Sequence, residues 1–163
     1  MKKVFIATAI LLCGLSFQQA SAQISVNINI GSQPSWGPTG YDYVQYYYLP
    51  DINCYYDVAR SQYIYPQGNH WGFASRLPGK YRNYDIYNSY KVVVNRANPY
   101  RDNRTDITAY GRYKGQRGQE IIRDSRDKKY FVNRGNKYYG HDNQGDDHDH
   151  GRGRGRGHDH DDH

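Results

Sequence analysis

The residues best equipped for chemistry crowd one end of the chain. Six of the seven histidines, His141, His148, His150, His158, His160 and His163, alternate there with aspartates that include Asp147, Asp149 and Asp159. Imidazole and carboxylate are ligands for Zn²⁺, Ni²⁺ and Cu²⁺, and neighbouring His-Asp-His units could share one ion. The fixed ligand spacing of a folded zinc site is missing, and a flexible tail loses entropy when it closes around a metal. The expectation is weak, promiscuous chelation that strengthens as imidazoles deprotonate above about pH 6.5. The alternative is a solubilising tail that holds no ion. Arg152, Arg154 and Arg156 form a GRGRGRG run that reads as a charge-balanced spacer among seven aspartates.

A second set is aromatic. Nineteen tyrosines, against four phenylalanines and two tryptophans, all lie between Tyr41 and Tyr139. A tyrosine has an apolar ring and a hydroxyl that seeks a partner, so it suits half-buried positions and contact surfaces. Between Tyr41 and Val132 there are only fourteen Val, Ile and Leu residues, too few for a dry core, so many rings must be structural. The rings singled out as candidate binding residues are Tyr46, Tyr48, Tyr63, Tyr65 and Trp71, which could stack against sugars or peptides if exposed together.

Catalytic constellations are missing from the sequence. His70, beside the Gly68-Asn69 turn, has no identifiable nucleophile or orienting partner and reads as a surface histidine. A single glutamate, Glu120, argues against paired-glutamate glycosidase chemistry. Phosphate loops, nucleophile elbows and HExxH motifs do not occur. Once a leader containing Cys13 is removed, Cys54 is left alone. It reads as a small buried hydrophobe on one strand face with Ile52 and Tyr56.

The elements that must position these residues follow from punctuation and period. Lys2-Lys3, an apolar run from Val4 to Phe17 and Ala20-Ser21-Ala22 have the form of a secretory signal peptide cut after Ala22. The run is too short for a membrane span, and no later segment is apolar enough for one. Ile24, Val26, Ile28 and Ile30 alternate with polar residues as a strand, and residues 31–40 read as a linker anchored by Trp36. Short aromatic runs at 43–49, 52–57, 62–65 and 70–75, separated by Pro- and Gly-containing turns, predict an antiparallel meander. Tyr46 and Tyr48 should share one side of the first strand, opposite Tyr47 and Leu49; Tyr63 pairs with Tyr65, and Trp71 with Phe73. Residues 81–90 suggest a helical turn, 90–95 a buried strand, and 105–113 another turn of helix. Two last strands are expected at 119–123 and 129–132. The expected fold is mainly β: a small antiparallel meander or sheet with one or two short helical turns and a disordered C-terminal tail. The expected boundaries are 1–22 (leader), 23–40 (strand and linker), 41–133 (tyrosine-rich domain) and 134–163 (tail).

Charge is uneven. Residues 23–75 sum to −2, residues 76–140 to +10 and residues 141–163 to −4. A basic midsection attracts its own acidic tail or polyanions such as anionic glycans and lipid headgroups; export makes nucleic acid an unexpected partner.

Four segments, WGPTGYDY (36–43), YYYLPDI (46–52), LPGKYRNYD (77–85) and KVVVN (91–95), resemble a family of small exported proteins of Gram-negative bacteria. The resemblance implies export and one compact domain, and carries over no activity and no catalytic residue. The reading is a periplasmic or secreted, non-enzymatic protein. It would hold an envelope polysaccharide, an anionic surface or another envelope protein with its aromatic sheet and basic second half. The alternative is low-affinity Zn, Ni or Cu buffering by the tail.

Overall fold

The computed structural model describes residues 28–141. Five strands, β1 (Tyr46–Leu49), β2 (Cys54–Asp57), β3 (Gln62–Gln67), β4 (His70–Ala74) and β5 (Val92–Val94), form one sheet in the order β4-β3-β2-β1-β5. Every pairing is antiparallel. The first four strands are the expected meander, because each aromatic run ends at a residue that cannot continue it: Pro50-Asp51 after β1, Gly68 after β3. β5 returns to the free side of β1, with Tyr47 opposite Val93.

The pleat sorts the rings into two cores. On one face Tyr47, Leu49, Cys54, Tyr56, Tyr63 and Tyr65 pack beneath Trp36, Leu77, Tyr81, Tyr84 and Ile86. On the other, Tyr46, Tyr48, Tyr55, Ile64, Val92 and Val94 pack with Trp71, Tyr100 and Tyr110. Both faces are apolar because both are covered, the second by α1 (Asn103–Tyr110) and the 3-10 turn before it (Pro99–Asp102). Trp36 meets Tyr47 and Tyr56 edge-on, with ring centroids 5.3 and 5.0 Å apart, the geometry that aromatic quadrupoles prefer. Tyr47 and Tyr55 are fully buried, which answers the shortage of aliphatic residues. Gly72 is required by a half-buried ring: a Cβ there would sit 2.6 Å from the ring of Tyr65.

Several expectations are corrected. Residues 31–40 are no linker: Gln33, Trp36, Gly37 and Pro38 are buried, and Pro38 bridges Ile121. The phenol of Tyr47 donates to Gln33 Oε1 at 2.8 Å, tying this segment to the sheet. The predicted N-terminal strand lies outside the described residues as far as Asn27, and its end is not strand, since Ile30 opens a 3-10 turn (Ile30–Ser32). The two last strands are instead 3-10 turns, Ile122–Asp124 and Lys128–Tyr130. Their anchors Ile122 and Tyr130 form a third small core with Ile30. The helix begins earlier than expected, at Asn103, and continues as a 3-10 turn over Gly111–Tyr113. The fold also passes the expected boundary at Asn133: Asn136 is buried and donates to the carbonyls of Ile122 and Ser125. Residues 142–163 lie outside the described residues.

Candidate functional site

The five rings expected to make a binding surface do not share a face. Tyr46, Tyr48 and Trp71 belong to the face under α1, Tyr63 and Tyr65 to the opposite one. Tyr46 and Tyr48 are buried; Tyr63, Tyr65 and Trp71 are half-buried. The physical reason is the register. Tyr63 and Tyr65 flank Ile64, and the pairing of Tyr55 with Ile64 sends Ile64 to the Tyr55 side and both tyrosines to the other.

Beneath α1 lies a polar network. Tyr55 Oη donates to Asp106 Oδ2 at 2.6 Å, and Arg96 Nη2 donates to the same oxygen at 2.6 Å. Asn103 Nδ2 donates to Tyr55 Oη at 2.9 Å and to Asn53 Oδ1 at 2.8 Å, while Tyr48 Oη donates to Asn53 Oδ1 at 3.0 Å. Asn53 has a positive φ, and its side chain ties the β1–β2 turn to the helix. Asp106 Oδ1 is buried without a hydrogen-bond partner. Burial pushes the Tyr48 phenol up to about 12 and that of Tyr55 higher still, so both stay protonated donors at neutral pH. With Tyr55 and Asp106 sealed from water, the network docks the helix on the sheet and offers a ligand no access.

Where α1 and its leading turn stop short, the same face opens as a groove of about 230 Å³. It is lined by Tyr46, Ile64, Phe73 and Tyr100 and by the polar side chains of Asp57, Arg60, Gln62 and Asn98. Tyr100 meets Trp71 and Phe73 with ring centroids 5.9 and 5.6 Å apart, and Phe73 is half exposed. The buried carboxylate of Asp57 orients Arg60: the Arg60 backbone N–H donates to Oδ1 at 2.9 Å, and Nη1 to Oδ2 at 2.8 Å. Burial, then the Asp57 carboxylate, raises the Tyr46 phenol. Across the Tyr46–Asp57–Arg60 divider lies a second hollow of about 310 Å³ that reaches Asn29, Tyr43 and Ala97. Arg101 and Arg104 stand exposed on the elements that cover this face. Such a groove offers ring faces for stacking and planar polar groups for paired hydrogen bonds.

Among the residues expected to bind metal, only His141 is described. It is exposed, and its ring meets that of Tyr138 at 6.3 Å. His148, His150, His158, His160, His163, Asp147, Asp149 and Asp159 lie outside the described residues. Among the described residues no cluster of His, Cys, Asp and Glu could hold an ion. Cys54 is buried, and burial pushes its thiol up to about 11, the setting of a packing cysteine. His70 is exposed at the start of β4. Among the described residues no helix is long and apolar enough to cross a membrane.

Reading the sequence missed Tyr100, Arg60 and Asn98. Asp57 three residues before Arg60 hinted at a clamp, but nothing local tells that Tyr100 folds back onto Trp71. No family model, no curated protein and no solved structure matches this chain.

Proposed function

We propose that the chain is an exported, non-enzymatic binding protein that holds an anionic saccharide polymer of the cell envelope in the groove between Phe73, Tyr100 and Arg60. One observation carries this reading: the Trp71–Tyr100–Phe73 ring cluster borders a groove whose polar lining is a guanidinium oriented by its Asp57 partner and two amides. Pyranose rings present apolar C–H faces and vicinal hydroxyls, which match this combination. The excess of sixteen Lys and Arg over six acids in residues 76–140 supplies long-range attraction for carboxylated or sulfated chains. The polar network under α1 contributes rigidity, not chemistry.

The test is retention of the purified protein on immobilised acidic polysaccharide at low salt, compared with Tyr100→Ala and Arg60→Ala. Both variants should weaken retention by about tenfold, about 1.4 kcal/mol of binding energy, measured at a temperature well below the melting transition of each. Equal retention of all three proteins, or none at low salt, would remove the reading.

A further inference from the structure

The two edges of the sheet are treated differently. β5 is a short edge, and the residue before it is closed off: the Gln119 side chain accepts from Lys91 N–H at 3.0 Å and donates to Lys91 C=O at 3.0 Å. Among the described residues β4 has no such guard. Its sequence, HWGFA, contains no formal charge and no proline, the usual means by which exposed edges are blocked.

Which backbone groups face outward follows from the turn. Gln67 pairs with His70 across the two-residue loop Gly68-Asn69, in which Gly68 has φ +62°. The closing pair of a two-residue hairpin exchanges both hydrogen bonds, so bonded pairs alternate from it. Tyr65–Gly72 and Tyr63–Ala74 are then the bonded pairs, and Trp71 and Phe73 turn their N–H and C=O groups away from β3. Pro66, opposite Trp71, fits this parity because it needs no N–H there. Among the described residues no backbone or side-chain group takes up the outward groups of Trp71 and Phe73.

We infer that the β4 edge is a self-association site, on which β4 of a second copy adds antiparallel about a two-fold axis through Gly72. This register sets Trp71 of each copy against Phe73 of the other, so the residues with outward backbone groups become the bonded pairs. It also sets each Trp71 ring beside the half-exposed Phe73 ring of its partner, on the face that carries Tyr100. Gly72 meets Gly72 at the axis, with a Tyr65 ring lying over each. A strand without charge meets its own copy without repulsion, and the pairing is isologous and closes at two. The inference is independent of the ligand reading, although it would set two aromatic grooves on one continuous sheet.

Sedimentation equilibrium of the chain from Gln23, tail included, tests it, together with amide exchange at low and high protein concentration. The expected result is a dimer whose Trp71 and Phe73 amides gain protection as concentration rises. Phe73→Pro removes an outward N–H and no ladder bond, so it should keep a cooperative urea transition and weaken dimerisation at least about tenfold. A monomeric wild type, concentration-independent exchange at Trp71 and Phe73, or a folded Phe73→Pro that dimerises unchanged overturns the inference. So does loss of dimer on deleting residues 23–27, because the occupant would then be the alternating N-terminal segment. Should Phe73→Pro fail to fold, the exchange data on the wild type decide.

Discussion

The ammonium of Lys91 is buried and has two carbonyl partners, Ile86 O at 3.1 Å and Tyr87 O at 3.3 Å, with no carboxylate in contact. Burial lowers its pKa from 10.5 to about 8, against a weaker opposing pull from Asp85. Between pH 8 and 10.5 the unfolded chain therefore binds a proton that the native chain has released. Stability should rise with pH through that window, by about 3 kcal/mol from this group alone. Lys91→Met should flatten the rise, as read by urea denaturation at stepped pH; an unchanged slope would acquit Lys91. Tyr55 is the second residue with a sharp expectation. Tyr55→Phe takes one of two donors from the buried Asp106 carboxylate and the acceptor from Asn103, and should destabilise by about 2 kcal/mol in the same assay. At this scale Cys54 was legible, because alternation alone put it on an apolar face. The Tyr55–Asp106–Arg96 network was not: 51 residues separate Tyr55 from Asp106, and the helix between them and solvent has no apolar stripe to announce its inward side.

At the scale of elements, the meander could be read because Pro50, Asp51 and Gly68 punctuate aromatic runs of strand length, and β5 because Val92–Val94 is the most aliphatic stretch of the described residues. The C-terminal part could not, since isolated apolar residues such as Ile122 and Tyr130 fit a strand or a turn equally. What decides there is amide chemistry: Asn133 Nδ2 donates to Ile30 O at 2.9 Å and Gln33 O at 2.7 Å, and Asn136 Oδ1 accepts from Tyr138 N–H at 2.7 Å. These bonds hold 3-10 turns that no hydrophobic period encodes. They also explain why residues 31–40, rich in turn formers, are part of the core. A chain ended after Asn133 loses the Asn136 bonds and should melt several degrees below one ended after His141. Asn136→Ala in the longer chain should reproduce most of that drop in thermal denaturation.

For the whole molecule, a core of phenols sets the alkaline limit. Burial pushes Tyr48, Tyr63 and Tyr84 up to about 12, and Tyr47 and Tyr55 beyond. Phenols raised in the folded state contribute stability that is complete below pH 10, the ordinary tyrosine value, and lost as pH climbs through the native values. The protein should unfold cooperatively above pH 10, with ionisation of these buried phenols and loss of near-ultraviolet dichroism coming together; absorbance of all nineteen phenolates with the dichroism intact would contradict the packing. Deleting residues 142–163 should abolish zinc or nickel uptake in calorimetry if the tail is a chelator, and uptake that survives would rule the tail out. The uneven charge was legible in the sequence, whereas the groove was not, because it forms where Tyr100, from the turn before the helix, meets Phe73 beside Arg60. The most direct measurement is the affinity of the intact protein for a defined acidic oligosaccharide, by calorimetry at low and raised salt. The account predicts binding that weakens with salt and falls about tenfold in Tyr100→Ala and in Arg60→Ala. Binding indifferent to both substitutions, or no binding at low salt, would contradict it.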